Sequence, residues 1–292
     1  MVQAEETRAA LVAALGIELA RIAVLPIRTS GDRVTDRPIA EAGGKGLFTK
    51  EIDEALLDGR IDIGVHSAKD LPTDLPEGIV IAACLKRHDV RDAFISTTAK
   101  RLADLPKGAV VGTSSLRRKA LVLRTRPDLV VVNLRGNVDT RLRKIADGEA
   151  AATLLAAAGL ARLGLSDRVA SFMEVDAWLP APGQGAIAIA ARADDTATRE
   201  RLKAIDDRAT SIALSAERAF LGVLDGSCRT PIGGLARIED EFLSFHGIII
   251  KPDGSDAHEV RLSGPVRDAV TLGIEAGAQL AERSGPEFFT DG

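Results

Sequence analysis

Only two cysteines occur in 292 residues, Cys84 and Cys228, and their separation fits neither a disulfide framework nor a Cys-x-x-Cys metal motif. Histidine is nearly as scarce, with four scattered copies, which argues against a zinc site. Tyrosine is absent and aromatic residues make up 3% of the chain. Lacking stacking platforms, and with a pI near 5.7, the protein gives little support to a nucleic-acid-binding role. No run of about 18 apolar residues is present, so no membrane-spanning helix is expected. A cytoplasmic protein is the expectation. The length exceeds that of a typical single domain and points to two or three.

What the chain has in abundance is positive charge in one place. Between Ser115 and Lys144 stand nine basic residues, Arg117, Arg118, Lys119, Arg124, Arg126, Arg135, Arg141, Arg143 and Lys144, against two acids, Asp128 and Asp139. The whole chain carries a net charge of -4. A basic patch on an acidic body suits a small polyanionic ligand, the plain alternative being a solvated helix surface.

Strand and helix patterns alternate along most of the sequence. An amphipathic helix is expected over Glu5–Leu15, a strand over Ile17–Ile27 and a helix over Leu47–Leu57. Short strands follow at Ile61–Val65 and Ile79–Cys84. From Arg91 the pattern restarts, with strands at Ala93–Ile95, Val110–Val111, Leu129–Val132 and Thr153–Leu155. Helices are expected at Leu116–Arg124, Val138–Ala146 and Ala157–Leu163. A further apolar strand spans Ala186–Ala191, with helices at Thr196–Ile205 and Ala209–Leu224. The last stretch reads as meander strands (Gly234–Ile238, Phe242–Ile250, Glu259–Leu262) and a closing helix (Arg267–Arg283). The alternation predicts parallel sheets with ligands at the strands' C-terminal ends, in two α/β units plus a smaller α+β unit.

Candidate chemistry collects at strand exits. Val110-Val-Gly-Thr-Ser-Ser-Leu-Arg-Arg118 is a strand, a small-residue turn and a helix start, where backbone N–H groups and the helix dipole favour an anion. Arg117 and Arg118 can add bidentate contacts. Leu134-Arg-Gly-Asn-Val-Asp-Thr-Arg141 repeats the arrangement with Arg135 and Arg141, and Arg162 follows a third strand. Val65-His-Ser-Ala-Lys-Asp70 brings Asp70 to the end of an apolar strand. There it either faces the basic cluster, stabilising a developing cation, or caps the Leu71-Pro72 turn. Gly43-Gly-Lys-Gly46 is not a phosphate-binding P-loop, since no Ser or Thr follows the lysine and no strand precedes it. Lys45 reads as an anion contact on a lid. His66 reads as a hydrogen-bonded strand-end residue. Cys84 ends an apolar strand and reads as buried packing. Cys228, in a glycine-rich turn beside Arg229, is either structural or a thiol activated by its neighbour.

Taken together, His66-Ser-Ala-Lys-Asp70, Gly112-Thr-Ser-Ser-Leu-Arg-Arg118, Leu134-Arg-Gly-Asn-Val-Asp-Thr-Arg141, Pro182-Gly-Gln-Gly-Ala186 and Gly226-Ser-Cys-Arg-Thr-Pro-Ile-Gly233 closely resemble the porphobilinogen deaminase (hydroxymethylbilane synthase) family. The resemblance implies a monomeric α/β protein. Its first two domains, residues 1–86 with 186–204 and residues 91–180, are like type II periplasmic binding proteins. A small α+β C-terminal domain takes residues 208–292. It also implies condensation of four porphobilinogens to hydroxymethylbilane with loss of ammonia. Cys228 then matches the cysteine holding a dipyrromethane cofactor by a thioether, and Asp70 the catalytic aspartate. Lys69, Ser115, Arg117, Arg118 and Arg135 match cofactor-binding positions. Lys45, Phe48, Arg141 and Arg162 match substrate-binding ones. No metal, nucleic-acid or membrane partner is implied.

The chain departs from the family pattern in two places. Members usually begin with a strand followed by Thr-Arg-x-Ser-Pro-Leu-Ala, which is missing here, so the expectation is that Met1 is an internal methionine and the natural protein longer. Glu41 stands where some members have lysine. Two rival readings are an inactive truncated form and a non-catalytic small-anion-binding protein of the same fold.

Overall fold

The computed structural model describes residues 1–30, 49–224, 230–285 and 288, which build three separate sheets. Helix α1 (Val2–Leu15) carries Glu5 in its first turn, where a negative charge suits the helix dipole, and ends at Gly16 in the left-handed region. After helix α2 (Lys50–Leu57) come β1 (Ile63–Ser67) and β2 (Ile79–Cys84). Both pair with β8 (Ile187–Arg192), which returns from far along the chain to lie between them. Side chains alternate across β8: Ile187, Ile189 and Ala191 pack with Leu11 of α1, and Ala188 and Ala190 face Leu214 and Leu56. Burial on both faces explains why this strand reads as an unbroken apolar run.

The second sheet has the order β5-β4-β6-β3-β7. Its strands are β3 (Asp92–Ser96), β4 (Val110–Gly112), β5 (Val130–Val132), β6 (Ala152–Ala156) and β7 (Ser171–Phe172). Helix α3 (Leu116–Thr125) covers one face through Ala120, Leu121 and Val122, which cluster with Phe94, Val111 and Leu154. Helices α4 (Val138–Ala146) and α5 (Ala157–Arg162) cover the other, against Ala93, Ile95 and Leu155.

After α6 (Thr196–Leu202) and α7 (Arg208–Val223), a three-stranded meander follows: β9 (Ile232–Glu239), β10 (Phe242–Ile250) and β11 (Ala257–Pro265). One face of it packs on α7 and on α8 (Ala269–Ser284), where Phe220 and Phe245 are fully buried with ring centroids 4.9 Å apart. Each such ring contributes about 1.5–3 kcal/mol of burial. The opposite face lends Leu235, Ile248 and Ile250 to the second sheet's core.

Two expectations fail. The first sheet is antiparallel in both its pairings, and the second is parallel only where β4 meets β5 and β6, β3 running against its neighbours. The cause is topological: β8 enters the first sheet on a return crossing, so its direction is set by the crossing rather than by a local strand–helix–strand unit. The stretch expected as a strand over Ile17–Ile27 is irregular apart from a single 3₁₀ turn at Leu19–Arg21. Leu19 and Leu25 are half-exposed there, and β-propensity without a ladder partner does not make a strand.

Among the described residues, no helix is long and apolar enough to cross a membrane, and no group of His, Cys, Asp or Glu could hold a metal.

Candidate active site

Strand ends of the first and second sheets meet at the two chain crossings between them. The β4–α3 turn is built by its small residues. The Thr113 backbone N–H donates to Val132 O (2.9 Å), continuing the β4–β5 pairing, and Ser115 caps α3 by accepting from Arg118 N (3.4 Å). This cap aims the first turn of α3 inward, so that Arg117 and Arg118 are buried, at 5% and 6% exposure. Both converge on Asp92, the first residue of β3. Arg117 Nη2 lies 2.9 Å from Oδ2 and Arg118 Nη2 lies 2.7 Å from Oδ1. Trp178 Nε1 (2.9 Å) and Gln184 Nε2 (2.9 Å) donate to the same carboxylate. Burial alone would raise the Asp92 carboxyl, but the two guanidiniums and the hydrogen bonds hold it far below the usual carboxylate range.

One carboxylate therefore serves two arginines, and charge is left over. Arg117 also donates to Leu179 O (2.8 Å) and Arg118 to Leu154 O (2.9 Å), yet the Nε of each is buried and unpartnered. Arg141 joins them from α4. Asn137 caps that helix by accepting from Thr140 N, and Arg141 Nε donates to Gly136 O (2.8 Å). Burial, with Arg118 and Arg135 nearby, depresses the Arg141 guanidinium. Arg118, Arg135 and Arg141 thus stand close together, with Asp92 as the counter-ion of Arg118.

Opposite stands the end of β1. Lys69 and Asp70 occupy a single 3₁₀ turn after Ser67, and Gln3 Nε2 of α1 donates to Ser67 Oγ (2.7 Å). Lys69 is depressed by burial first; Asp70 and Asp92 partly pull it back, and Arg118 and Arg117 push it down again, which puts this turn within electrostatic reach of the cluster. Asp70 is open to solvent but ringed by protein. The loss of surrounding water raises its carboxyl, and Lys69 only partly pulls it back. The turn is fixed from behind by Gly183-Gln184-Gly185. Gly183 has φ +77°, and a Cβ there would sit 2.9 Å from the Lys69 backbone N, so only glycine allows this approach. The Gln184 Oε1 lies 3.5 Å from Lys69 Nζ while its Nε2 reaches Asp92.

A second buried carboxylate holds the crossings to the third sheet. Glu217 of α7 accepts from Arg87 Nη1 (2.6 Å) and Nη2 (3.0 Å), from Gly183 N (2.6 Å) and from Ala236 N (2.8 Å).

With this geometry in view, the comparisons decide the family. Residues 1–200 match the family model for the porphobilinogen deaminase dipyromethane cofactor binding domain, and residues 211–282 match that for the porphobilinogen deaminase C-terminal domain. The chain belongs to the porphobilinogen deaminase family. The porphobilinogen deaminase of Nitrobacter hamburgensis is 56% identical over 290 residues, 99% of this chain and 92% of that protein. Its counterpart in Nitrobacter winogradskyi is 57% identical over the same shares. Among solved structures, an ABC transporter periplasmic substrate-binding protein from Coxiella burnetii aligns at a TM-score of 0.43 and 15% identity, over 71% of this chain and 90% of that one. That likeness is too distant to carry an argument.

For this deaminase-family chain, the structure brings Lys69 near Arg117 and Arg118 and Arg141 near Arg118 and Arg135, with Asp70 beside Lys69 and Ser115 acting as the cap of α3. It does not bring Arg162 to the same point: Arg162 donates instead to Glu6 Oε2 (3.0 Å) and Gly185 O (3.2 Å). Lys45, Phe48 and Cys228 lie outside the described residues. Cys84 is fully buried, as its apolar strand suggested. Sequence reasoning missed Asp92, Trp178, Gln184 and Glu217. A signal existed for two of them: an acid opening the apolar strand Asp92–Ser96, and a lone amide between two glycines at Gly183–Gly185.

Proposed function

We infer that this chain condenses four porphobilinogen molecules head to tail into hydroxymethylbilane, releasing ammonia at each addition. It is a transferase of tetrapyrrole biosynthesis that works on a dipyrromethane cofactor. The observation that carries this reading is the set of buried arginines that converge on Asp92, with Lys69 and the exposed Asp70 on the turn that reaches them. Every porphobilinogen adds an acetate and a propionate, so the growing chain requires a large excess of guanidinium over carboxylate in its cleft.

The same donor set suits the cofactor. Dipyrromethane carries an acetate and a propionate on each ring, and the unpartnered Nε groups of Arg117 and Arg118 are donors that such carboxylates can use. The residues assigned to hold it are Cys228, through a thioether, with Lys69, Ser115, Arg117, Arg118 and Arg135. When bound, it supplies the pyrrole carbon to which the first substrate unit is joined.

Asp70 is assigned the catalytic role. As a carboxylate it accepts hydrogen bonds from pyrrole N–H groups and stabilises the cation left on the substrate once ammonia departs. Its raised carboxyl makes it a better acceptor for the ring proton released as the carbon–carbon bond forms. Arg141, Arg162, Lys45 and Phe48 are assigned to the substrate units.

The three sheets support a division into residues 1–86 with 186–204, residues 91–180 and residues 208–292. A cytoplasmic monomer acting without nucleic acid or membrane completes the proposal. The absence of a membrane-crossing helix among the described residues agrees with it.

The test is the intact mass of the purified protein before and after porphobilinogen is added. The expected result is a mass two pyrrole units above the polypeptide, located on Cys228 and rising by further units with substrate. An unmodified mass that porphobilinogen leaves unchanged, in folded protein, overturns the reading.

A further inference from the structure

Arg162 leaves the arginine cluster for a different partner, and that partner belongs to the other layer. Glu6 projects from α1, which packs on the first sheet, whereas Arg162 is the last residue of α5 on the second. Glu6 Oε2 takes Arg162 Nε at 3.0 Å, and Glu6 Oε1 lies 3.0 Å from His88 Nε2 on the crossing from the first sheet to the second. Arg162 Nη2 and the His88 backbone N–H both donate, at 3.2 Å each, to Gly185 O on the return crossing. The return crossing cannot shift away cheaply, because Gly185 has φ +86° and a Cβ there would lie 2.6 Å from His88 O. Both crossings and both layers therefore meet at one carboxylate and one guanidinium. The Arg162 side chain is 8% exposed, so the pair is partly desolvated and screened less than a surface pair.

Apolar packing makes only part of this contact, where Leu11 and Ala10 of α1 cluster with Leu85 of the crossing. Between α1 and the crossing lies an open groove of about 770 Å³, lined by Ala10, Ala13, Ala14, Leu85 and His88, with Glu6 at its edge. Alanines leave that space unfilled, and Glu6 supplies the polar tie between α1 and the crossing.

We propose that Glu6 is a positioning residue that clamps the first layer to the second through Arg162, setting the angle at which Asp70 faces the arginine cluster. The proposal rests on the deaminase reading for its kinetic readout, and on geometry alone for its structural one. In this arrangement Glu6 holds in place, from the first layer, the Arg162 side chain that the reading above assigns to a substrate carboxylate.

A double-mutant cycle tests it, with Glu6→Gln, Arg162→Gln and the double variant of the cofactor-loaded enzyme. Each is assayed for kcat and KM with porphobilinogen and for amide hydrogen exchange at His88 and Ala186. Glu6→Gln is expected to lower kcat roughly tenfold with little change in KM, Arg162→Gln to lower kcat and also raise KM, and both to speed exchange at the crossings. The double variant is expected to fall no further, since groups in contact couple. The clamp is overturned if the two effects multiply. It is equally overturned if Glu6→Gln behaves as wild type in both kcat and exchange. Should Arg162→Gln not fold, Arg162→Lys takes its place in the cycle, with the same two outcomes. Failure of the wild-type enzyme to consume porphobilinogen would refute the function and leave the exchange arm to judge the clamp.

Discussion

Titratable groups on the two layers that face each other across the cleft are treated in opposite ways. On the second layer, Asp92 is buried with two arginines, a tryptophan and a glutamine, and its carboxyl is held far below the usual range. On the first layer, burial works against charge and little answers it. Asp70 is raised with only Lys69 to offset the loss of water, and Asp53 of α2 is raised by burial that the nearby Thr49 only partly offsets. His66 of β1 is pushed down to about 4, with its Nε2 buried and unpartnered. One layer thus keeps a buried carboxylate charged, and the other holds groups whose charged form burial disfavours. The number of partners, not the residue type, decides between the two behaviours.

The sharpest way to break this contrast is Asp92→Asn. It leaves two buried guanidiniums without their counter-ion, and removing one member of a buried ion pair costs about 3–5 kcal/mol. Urea unfolding should show a loss of that size together with loss of turnover. A near-neutral change would mean that water or the backbone carbonyls already satisfy the arginines. Asp70→Asn should do the reverse. Turnover should fall by roughly 10²–10⁴ as the proton acceptor is lost, while unfolding free energy moves by no more than about 0.5 kcal/mol. Because the native site disfavours the Asp70 charge, any change in stability should be a gain.

Acid titration separates the layers further. His66 has a lower folded value, about 4, than its ordinary 6.5. The unfolded chain therefore binds more protons between those values, and stability falls as pH drops from 6.5 towards 4, by on the order of 3 kcal/mol. Asp92, depressed instead, contributes stability that is fully present above about pH 4 and is lost only as pH falls further. Stability measured from pH 7 to 4 should slope in the wild type and flatten in His66→Gln. A flat wild-type profile would place the ring in contact with water. The smallest effect concerns Cys84, whose thiol is pushed up to about 11 mainly by burial. In native protein at pH 8 it should resist alkylation and react only on unfolding; rapid labelling would show that β2 opens.

Much of this was legible in the chain. Periodicity and turn residues located nearly every helix and strand, with Val138–Ala146, Ile79–Cys84 and Phe242–Ile250 found to the residue. The positive charge at the β4 and β5 exits was visible as composition, and an apolar strand with no polar neighbour marked Cys84 for burial. The strand expected over Ile17–Ile27 failed because apolar residues at strand spacing need an edge to pair with, and pairing is not a local property.

By itself the sequence determined the identity and order of the elements, the excess of guanidinium over carboxylate near the cleft, and the family motifs. Those depend on residues close in the chain, through side-chain periodicity, capping and turn chemistry. Only the tertiary structure decided which charge meets which. Asp92 draws in Arg117, Arg118, Trp178 and Gln184 from distant segments, β8 runs against its neighbours because it returns from a crossing, and Arg162 turns to Glu6 instead of the cluster. Electrostatic energies depend on distance in space and on how much water is left between charges, and neither quantity is written in sequence separation.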